Sequence, residues 1–278
     1  MNVLNIPVSP VLLDAWRGWL APAQQPFYLT DAEAERLALP TLARASVTLT
    51  PEERDTFTLW NVAAGAGRVA WLTPADLDAL APATRRELLR AQVRHGRGNV
   101  PLGARFADLR PGLPTGRFLW RPEDLTGAVL ARLIGRAGRP CRRQDVPDTV
   151  WNAAAHTLPA ARTLAGTFPA GSAGNCFGTV MGAAGVPDAA RTWMQREPFE
   201  AFLQDRTVPG GADGQPGTLL LWRSGNGLAQ HAAVTLGGGW ALHKPAQTWW
   251  TPRTVLSVPE LKTATRTRGW RLERRTLT

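Results

Sequence analysis

Three residues of this 278-residue chain have the types needed for acyl chemistry at a thiol: Cys176, His231 and His243. A sulfur nucleophile needs a base to take its proton and a further group to hold that base in one tautomer. Cys176 follows Gly171-Ser172-Ala173-Gly174-Asn175 and precedes Phe177-Gly178. The run from Cys176 to Ala184 stops at Gly185, with Pro187 beyond, which predicts a short helix beginning at the cysteine. Asn175 is a good N-cap for it. A thiol in a first helical turn meets the positive end of the helix dipole, so its pKa is expected to fall. Gly174 and Asn175 are expected beside the substrate, where the glycine-rich backbone allows close approach and amides can bind an oxyanion.

The two histidines must be positioned by a hairpin. Leu228 to Leu236 is apolar and β-prone, Gly237-Gly238-Gly239 reads as a three-residue loop, and Trp240 to His243 returns. That loop would set Leu236 opposite Trp240 and Ala233 opposite His243. Side chains alternate along a strand, so His231 would share a face with His243. The imidazoles then become diagonal neighbours, roughly 7–8 Å apart at the backbone. A two-residue loop would reverse the parity and separate them.

With the strand Gly217-Thr218-Leu219-Leu220-Leu221-Trp222, the strand His231-Ala232-Ala233-Val234-Thr235-Leu236-Gly237 and the following strand ending in His243, the segment from about Thr167 to Leu256 resembles the NlpC-like branch of the papain-fold cysteine peptidases. The resemblance implies an α+β, papain-like domain in which the helix carrying the cysteine packs on an antiparallel sheet. It implies Cys176 as nucleophile, His231 as base and His243 as orienting residue. The chain departs from the branch: Asn175 precedes the cysteine where Asp is usual, Phe177-Gly178 replaces Ser-Gly-Phe, and Gly217-Thr218 replaces Gly-Asp. The upstream oxyanion tyrosine of many members has no assigned counterpart, since the one tyrosine is Tyr28.

These residues point to a cysteine hydrolase, a thiol peptidase or amidase, that cleaves an amide through an acyl-enzyme on Cys176. Acyl transfer or thioester cleavage would use the same triad. A non-catalytic binding module on a decayed papain-like fold is the other reading. A zinc site from Cys141, Cys176, His231 and His243 lacks the close ligand pairs usual for structural zinc, so no metal is expected. Phosphate-loop and dinucleotide patterns are absent, so no cofactor is expected either.

Composition bounds the partners. The net charge is +10, from 30 Arg and 2 Lys against 22 acids. Residues 101–143 carry nine Arg and three acids, and residues 263–278 carry five Arg and one acid, while the remaining segments balance. These flanks could form one basic patch suited to a small, anionic peptide-like or acyl substrate. No nucleic-acid motif accompanies the arginines, which argues against that partner. The alternative for the arginines is an ordinary solvated surface in a composition biased to Arg. No apolar run reaches the roughly eighteen residues of a membrane span, and the N-terminal stretch lacks a basic n-region. A cytoplasmic protein without a disulfide between Cys141 and Cys176 is therefore expected. Oligomeric state has no sequence signal.

The expected organisation is a mostly helical region over residues 1–100 and a catalytic domain with basic flanks over 101–278. Helices are expected near Leu12–Trp19, from Asp31, from Pro51, over Thr84–Arg94, from Pro122 and over Pro147–Leu158. Ser46–Thr50 is β-prone, and Trp60–Trp71 is ambiguous. Asp188–Gln195 and Pro198–Gln204 read as short helices, Asp205–Gly217 as a loop. Thr218–Trp222, Thr251–Val258 and Thr265–Leu272 read as strands. His95 and His156 are expected to be ordinary packed or surface residues.

Overall fold

The computed structural model describes residues 1–136 and 138–278. The architecture is α+β, in two compact units: Ser9–Leu133, and a second formed by Met1–Val8 together with Ile134–Thr278. This differs from the expected division at residue 100. The Gly/Pro-dense stretch 97–117 lies wholly within the first unit, where its backbone folds back on itself through Gly103 N–H to Gly116 O and Phe118 N–H to Pro101 O.

The first unit is less helical than expected. Its helices include Pro10–Leu20, Asp31–Leu37 and Pro82–Arg94, but these share it with a three-stranded antiparallel sheet ordered Gln25–Leu29, Arg68–Leu72, Leu42–Ala43. Phe27, Leu29 and Ala70 of that sheet pack with Leu88 and Leu89 of the last helix in one apolar cluster. Phe27-Tyr28-Leu29 is the β-prone run that the nearby helical signals masked. The β-prone Ser46–Thr50 forms no strand, and a short 3-10 turn covers Arg44–Ser46.

The second unit holds the candidate site. Its main sheet has six strands: β1 (Thr207–Pro209), β2 (Thr218–Arg223), β3 (Ala229–Gly237), β4 (Trp240–His243), β5 (Thr254–Ser257) and β6 (Arg271–Leu277). Their spatial order is β5-β4-β3-β2-β6-β1, and every neighbouring pair is antiparallel. Helix α1 (Cys176–Ala183) packs on β3 and β4, followed by α2 (Arg196–Arg206). Helix α3 (Val258–Ala264) lies against β4 and β5. Leu220, Trp222, Ala233, Ala241 and Leu256 of the sheet pack on Val258 and Leu261 of α3.

Several local expectations shift. Strand β1 arises inside the stretch read as a loop, and α3 in the gap between the two stretches read as strands, Thr251–Val258 and Thr265–Leu272. The α3 signal is present in the sequence: Ser257 and Glu260 form a reciprocal capping box, with Pro259 in the first turn. Asp188–Gln195 shrinks to a 3-10 turn over Ala189–Arg191. Among the described residues no helix is long and apolar enough to cross a membrane.

The hairpin reaches the expected register by a different route. Ala233 does pair with His243, but Gly237 rather than Leu236 pairs with Trp240. The loop is therefore two residues, Gly238 at φ +57° and Gly239 at φ +82°, the doubly positive pattern that matches strand twist. Such a loop alone would reverse the parity. A register shift between Thr235 and Gly237 adds one residue to β3 and restores it.

The Gly239 position tests this turn. A Cβ there would meet nothing within 4 Å, so a substitution registers only the cost of the positive φ. Gly239→Val is expected to lower unfolding free energy by about 1–2 kcal/mol, and Gly239→Asn by much less. Urea denaturation of the two variants measures the difference.

Candidate functional site

Cys176 opens α1 as the sequence requires. The Oδ1 of Asn175 accepts the N–H of Gly178 at 2.9 Å, and its Nδ2 donates to the carbonyl of Met194 at 2.7 Å. The helix ends in a Schellman pair: Gly185, at φ +89°, donates to Gly182 O and Val186 to Met181 O, each at 3.0 Å. Both ends of this short helix are thus fixed, and so is the height of the cysteine above β3.

The thiol departs from its expected protonation. It is only 9% exposed, and burial pushes its pKa up to about 11. Backbone N–H groups of Ala232, Phe177 and Cys176 itself, and the nearby Lys244 ammonium, act in the opposite direction. Magnitudes explain why they lose. A helix N-terminus is worth at most ~2 kcal/mol, about one and a half pK units, whereas full burial moves a titratable group by up to about 3–5 units. The resting sulfur is therefore a protonated thiol.

The histidines do converge. His243 Nδ1 lies 3.4 Å from His231 Nε2, with ring centroids 5.7 Å apart and planes at 87°. Trp222, opposite His231 in the β2–β3 register, stands 5.4 Å from its ring. Both imidazoles are buried. Burial lowers the pKa of His231 to about 4, and burial with the neighbouring His231 holds His243 well below its ordinary value. Two neutral rings share the contact, so one nitrogen donates and the other accepts. Because Nε2 of His231 faces His243, its Nδ1, the nitrogen nearer the main chain, is the one left to handle a proton.

Both rings border a cavity of about 420 Å³ that is also lined by Gln230, Thr254, Trp250 and Trp270. Cys176 is not among the residues lining it, and among the described residues no hydrogen bond joins the thiol to either imidazole. What links them is the strand itself: helix α1 packs on β3, which carries His231, and the N–H of Ala232, the next residue, favours the thiolate.

The other expected site residues are engaged structurally. Both polar atoms of the Asn175 side chain are committed to the helix cap and to Met194. A Cβ on Gly174 would stand 2.2 Å from the carbonyl oxygen of Ala190, so this glycine permits a backbone contact. Cys141 and Cys176 are both free thiols. Cys141 Sγ accepts the N–H of Val255 at 3.3 Å, in a buried, structural position. Among the described residues no group of three or more His, Cys, Asp or Glu could hold a metal.

Lys244 escaped sequence reading. It is fully buried, and its Nζ donates to Thr248 O and Thr251 Oγ1, each at 3.0 Å, and to Ala246 O. One signal was available: it is one of two lysines in an Arg-rich chain, directly after His243. The basic flanks are paired only in part: Arg132 with Asp108, Arg110 with Asp124, Arg142 with Asp145 and Glu260, Arg274 with Asp213. They are divided between the two units, and Arg266, Arg268 and Arg271 remain exposed. No family model matches the chain, and no curated protein or solved structure matches it.

The histidine pair makes a signed prediction. Both rings are neutral when folded, with pKa values below the unfolded value near 6.5. Unfolding therefore takes up protons, and stability falls as pH drops from about 6.5 toward 4. The slope should approach about 1.4 kcal/mol per pH unit for each histidine. Chemical denaturation at pH 7, 5.5 and 4.5 should show it, and His231→Gln/His243→Gln should flatten it.

Proposed function

We propose that the chain is a cysteine hydrolase acting on an amide or related acyl bond, with Cys176 as nucleophile, His231 as base and His243 as orienting residue. The single observation that carries this reading is the way His243 engages Nε2 of His231. It holds the two rings in one relative orientation and leaves Nδ1 of His231 to handle a proton. The resemblance of the 167–256 segment to NlpC-like peptidases supports the same assignment. In the reaction, Nδ1 of His231 takes the thiol proton as Sγ bonds to the acyl carbon. The proton then passes to the departing amine as the C–N bond breaks, and water, deprotonated by the same imidazole, releases the acid. The structure described is a resting state, with the thiol neutral and shut in. Substrate binding has to bring sulfur and imidazole together. An amine or thiol acceptor in place of water would make the same site an acyltransferase, and a thiol in place of the amine as leaving group would make it a thioesterase.

A second reading is favoured by one observation. Burial of the thiol and its pKa near 11 suit an inert core cysteine, and the histidine-lined cavity would then belong to a binding module on a papain-like scaffold.

Labelling with an iodoacetamide probe separates the two. For the hydrolase, wild type labels at Cys176 near pH 7 at least ~10-fold faster than His231→Ala, and Cys176→Ala lowers turnover of activated amides and thioesters by ~100-fold or more. If both proteins instead share one labelling curve that climbs toward pH 11, and Cys176→Ala leaves turnover unchanged, the thiol is a bystander and the binding reading stands.

A further inference from the structure

A second cleft in the same unit, about 680 Å³, borders the glycine-rich loop and shares no lining residue with the histidine cavity; Thr167, Gly171, Gly174, Asp188, Arg191 and Arg253 are among those that line it. We propose that this cleft binds a small oxyanion, a carboxylate or a phosphate group, on the Arg253 guanidinium, with Arg191 adding charge. The inference stands on different residues from the hydrolase reading and does not depend on chemistry at Cys176.

The argument begins with an unbalanced buried charge. Arg253 is 5% exposed. Its Nη2 donates to Ala190 O at 2.5 Å and its Nη1 to Thr167 Oγ1 at 3.3 Å, while Nε has no partner. A guanidinium carries five N–H donors in a fork that suits a two-oxygen anion. Here most of that capacity is unused. Among the described residues, no carboxylate forms an ion pair with Arg253 or Arg191. Burial lowers the Arg253 pKa to about 10, and the like charge of Arg191 acts in the same direction. Asp188 also lines the cleft, at an exposed position, without pairing with either arginine.

Arg97, in the other unit, shows what a purely structural buried arginine looks like in this chain. Its Nε and both terminal nitrogens donate to Pro26 O, Gly98 O, Asn99 O and Gln25 Oε1, and its guanidinium lies over Phe27 and Phe57. Arg253 has no such closure. Burying a cation without a counter-charge is costly, and an anion that neutralises it from the cleft recovers that cost. Nε itself is walled off, so the anion's oxygens would meet the remaining N–H groups of the terminal nitrogens. Gly174 keeps the approach clear: a Cβ there would stand 3.3 Å from Nη2 of Arg253.

The test uses the full chain, with inorganic phosphate and acetate as probes and sodium chloride at matched ionic strength as control. Isothermal calorimetry should show saturable binding of at least one probe, and that probe should raise the melting temperature more than chloride does. Phosphate alone, acetate alone or both binding each supports the site and tells which oxyanion it prefers. Arg191→Ala, at an exposed position, should weaken binding roughly fivefold or more through lost attraction. Arg253→Lys keeps the charge but loses the fork, and should weaken it by about tenfold with the circular dichroism spectrum retained. If Arg253→Lys does not fold, Arg191→Ala carries the test alone. No saturable heat with either probe, or an affinity that Arg191→Ala leaves untouched, overturns the proposal.

Discussion

The register of one hairpin decides which side chains can meet in the second unit. The two-glycine turn and the added residue near Leu236 act in opposite senses, and only together do they put His231 and His243 on one side of the sheet. Strand parity makes this an all-or-none condition. With either device alone, the imidazole of His243 and the ammonium of Lys244 would exchange sides, leaving a cation facing His231 and a lone ring among the carbonyls that now hold Nζ. The β4–β5 pairing reinforces the choice, since Thr254 lies opposite His243 and borders the same cavity.

Desolvation then sets the protonation of everything the hairpin brings together. The sheet strands that carry the site are buried almost throughout, so the Cys176 thiol and the two imidazoles favour their neutral forms. The thiol keeps its proton and the imidazoles lack theirs. Three backbone N–H groups, a helix terminus and a lysine all favour thiolate, yet burial outweighs them in the resting state. The same surroundings would strengthen those interactions for a sulfur anion once it formed, because the low-dielectric interior weakens neither hydrogen bonds nor charge attraction.

Local signals were legible where a short run of residues determines the outcome. Asn175, Cys176 and Gly185 marked the start and stop of α1, and Ser257 with Glu260 marked the start of α3. The pairing of Ala233 with His243 was legible too, although through an incorrect turn whose error the strand irregularity cancels. Illegible were features set by neighbours remote in sequence. Nothing around Cys176 announces that its helix packs on strands β3 and β4 and buries it, and nothing around Arg253 announces that Ala190 and Thr167 are its partners. The strand Gln25–Leu29 was hidden because its partner, Arg68–Leu72, lies in an Ala/Gly-rich stretch with no periodicity of its own. The helical signals of residues 1–100 were real, but they could not reveal a sheet whose strands pair across some forty positions.

The discontinuous second unit orders events in time as well as in space. Its first segment folds into a tight ribbon in which Asn2–Val3 pairs with Ile6–Pro7, and Leu4 accepts a hydrogen bond from Cys141 N–H at 2.7 Å. Leu4 also borders the cavity in front of the imidazoles. During synthesis, residues 1–8 leave the ribosome well before residues 134–278 exist to receive them, a wait of several seconds or more at about 5–20 residues per second. The intervening unit has its own core and can fold in that interval. The wall of the histidine cavity is therefore completed when a segment made earlier docks onto one made later.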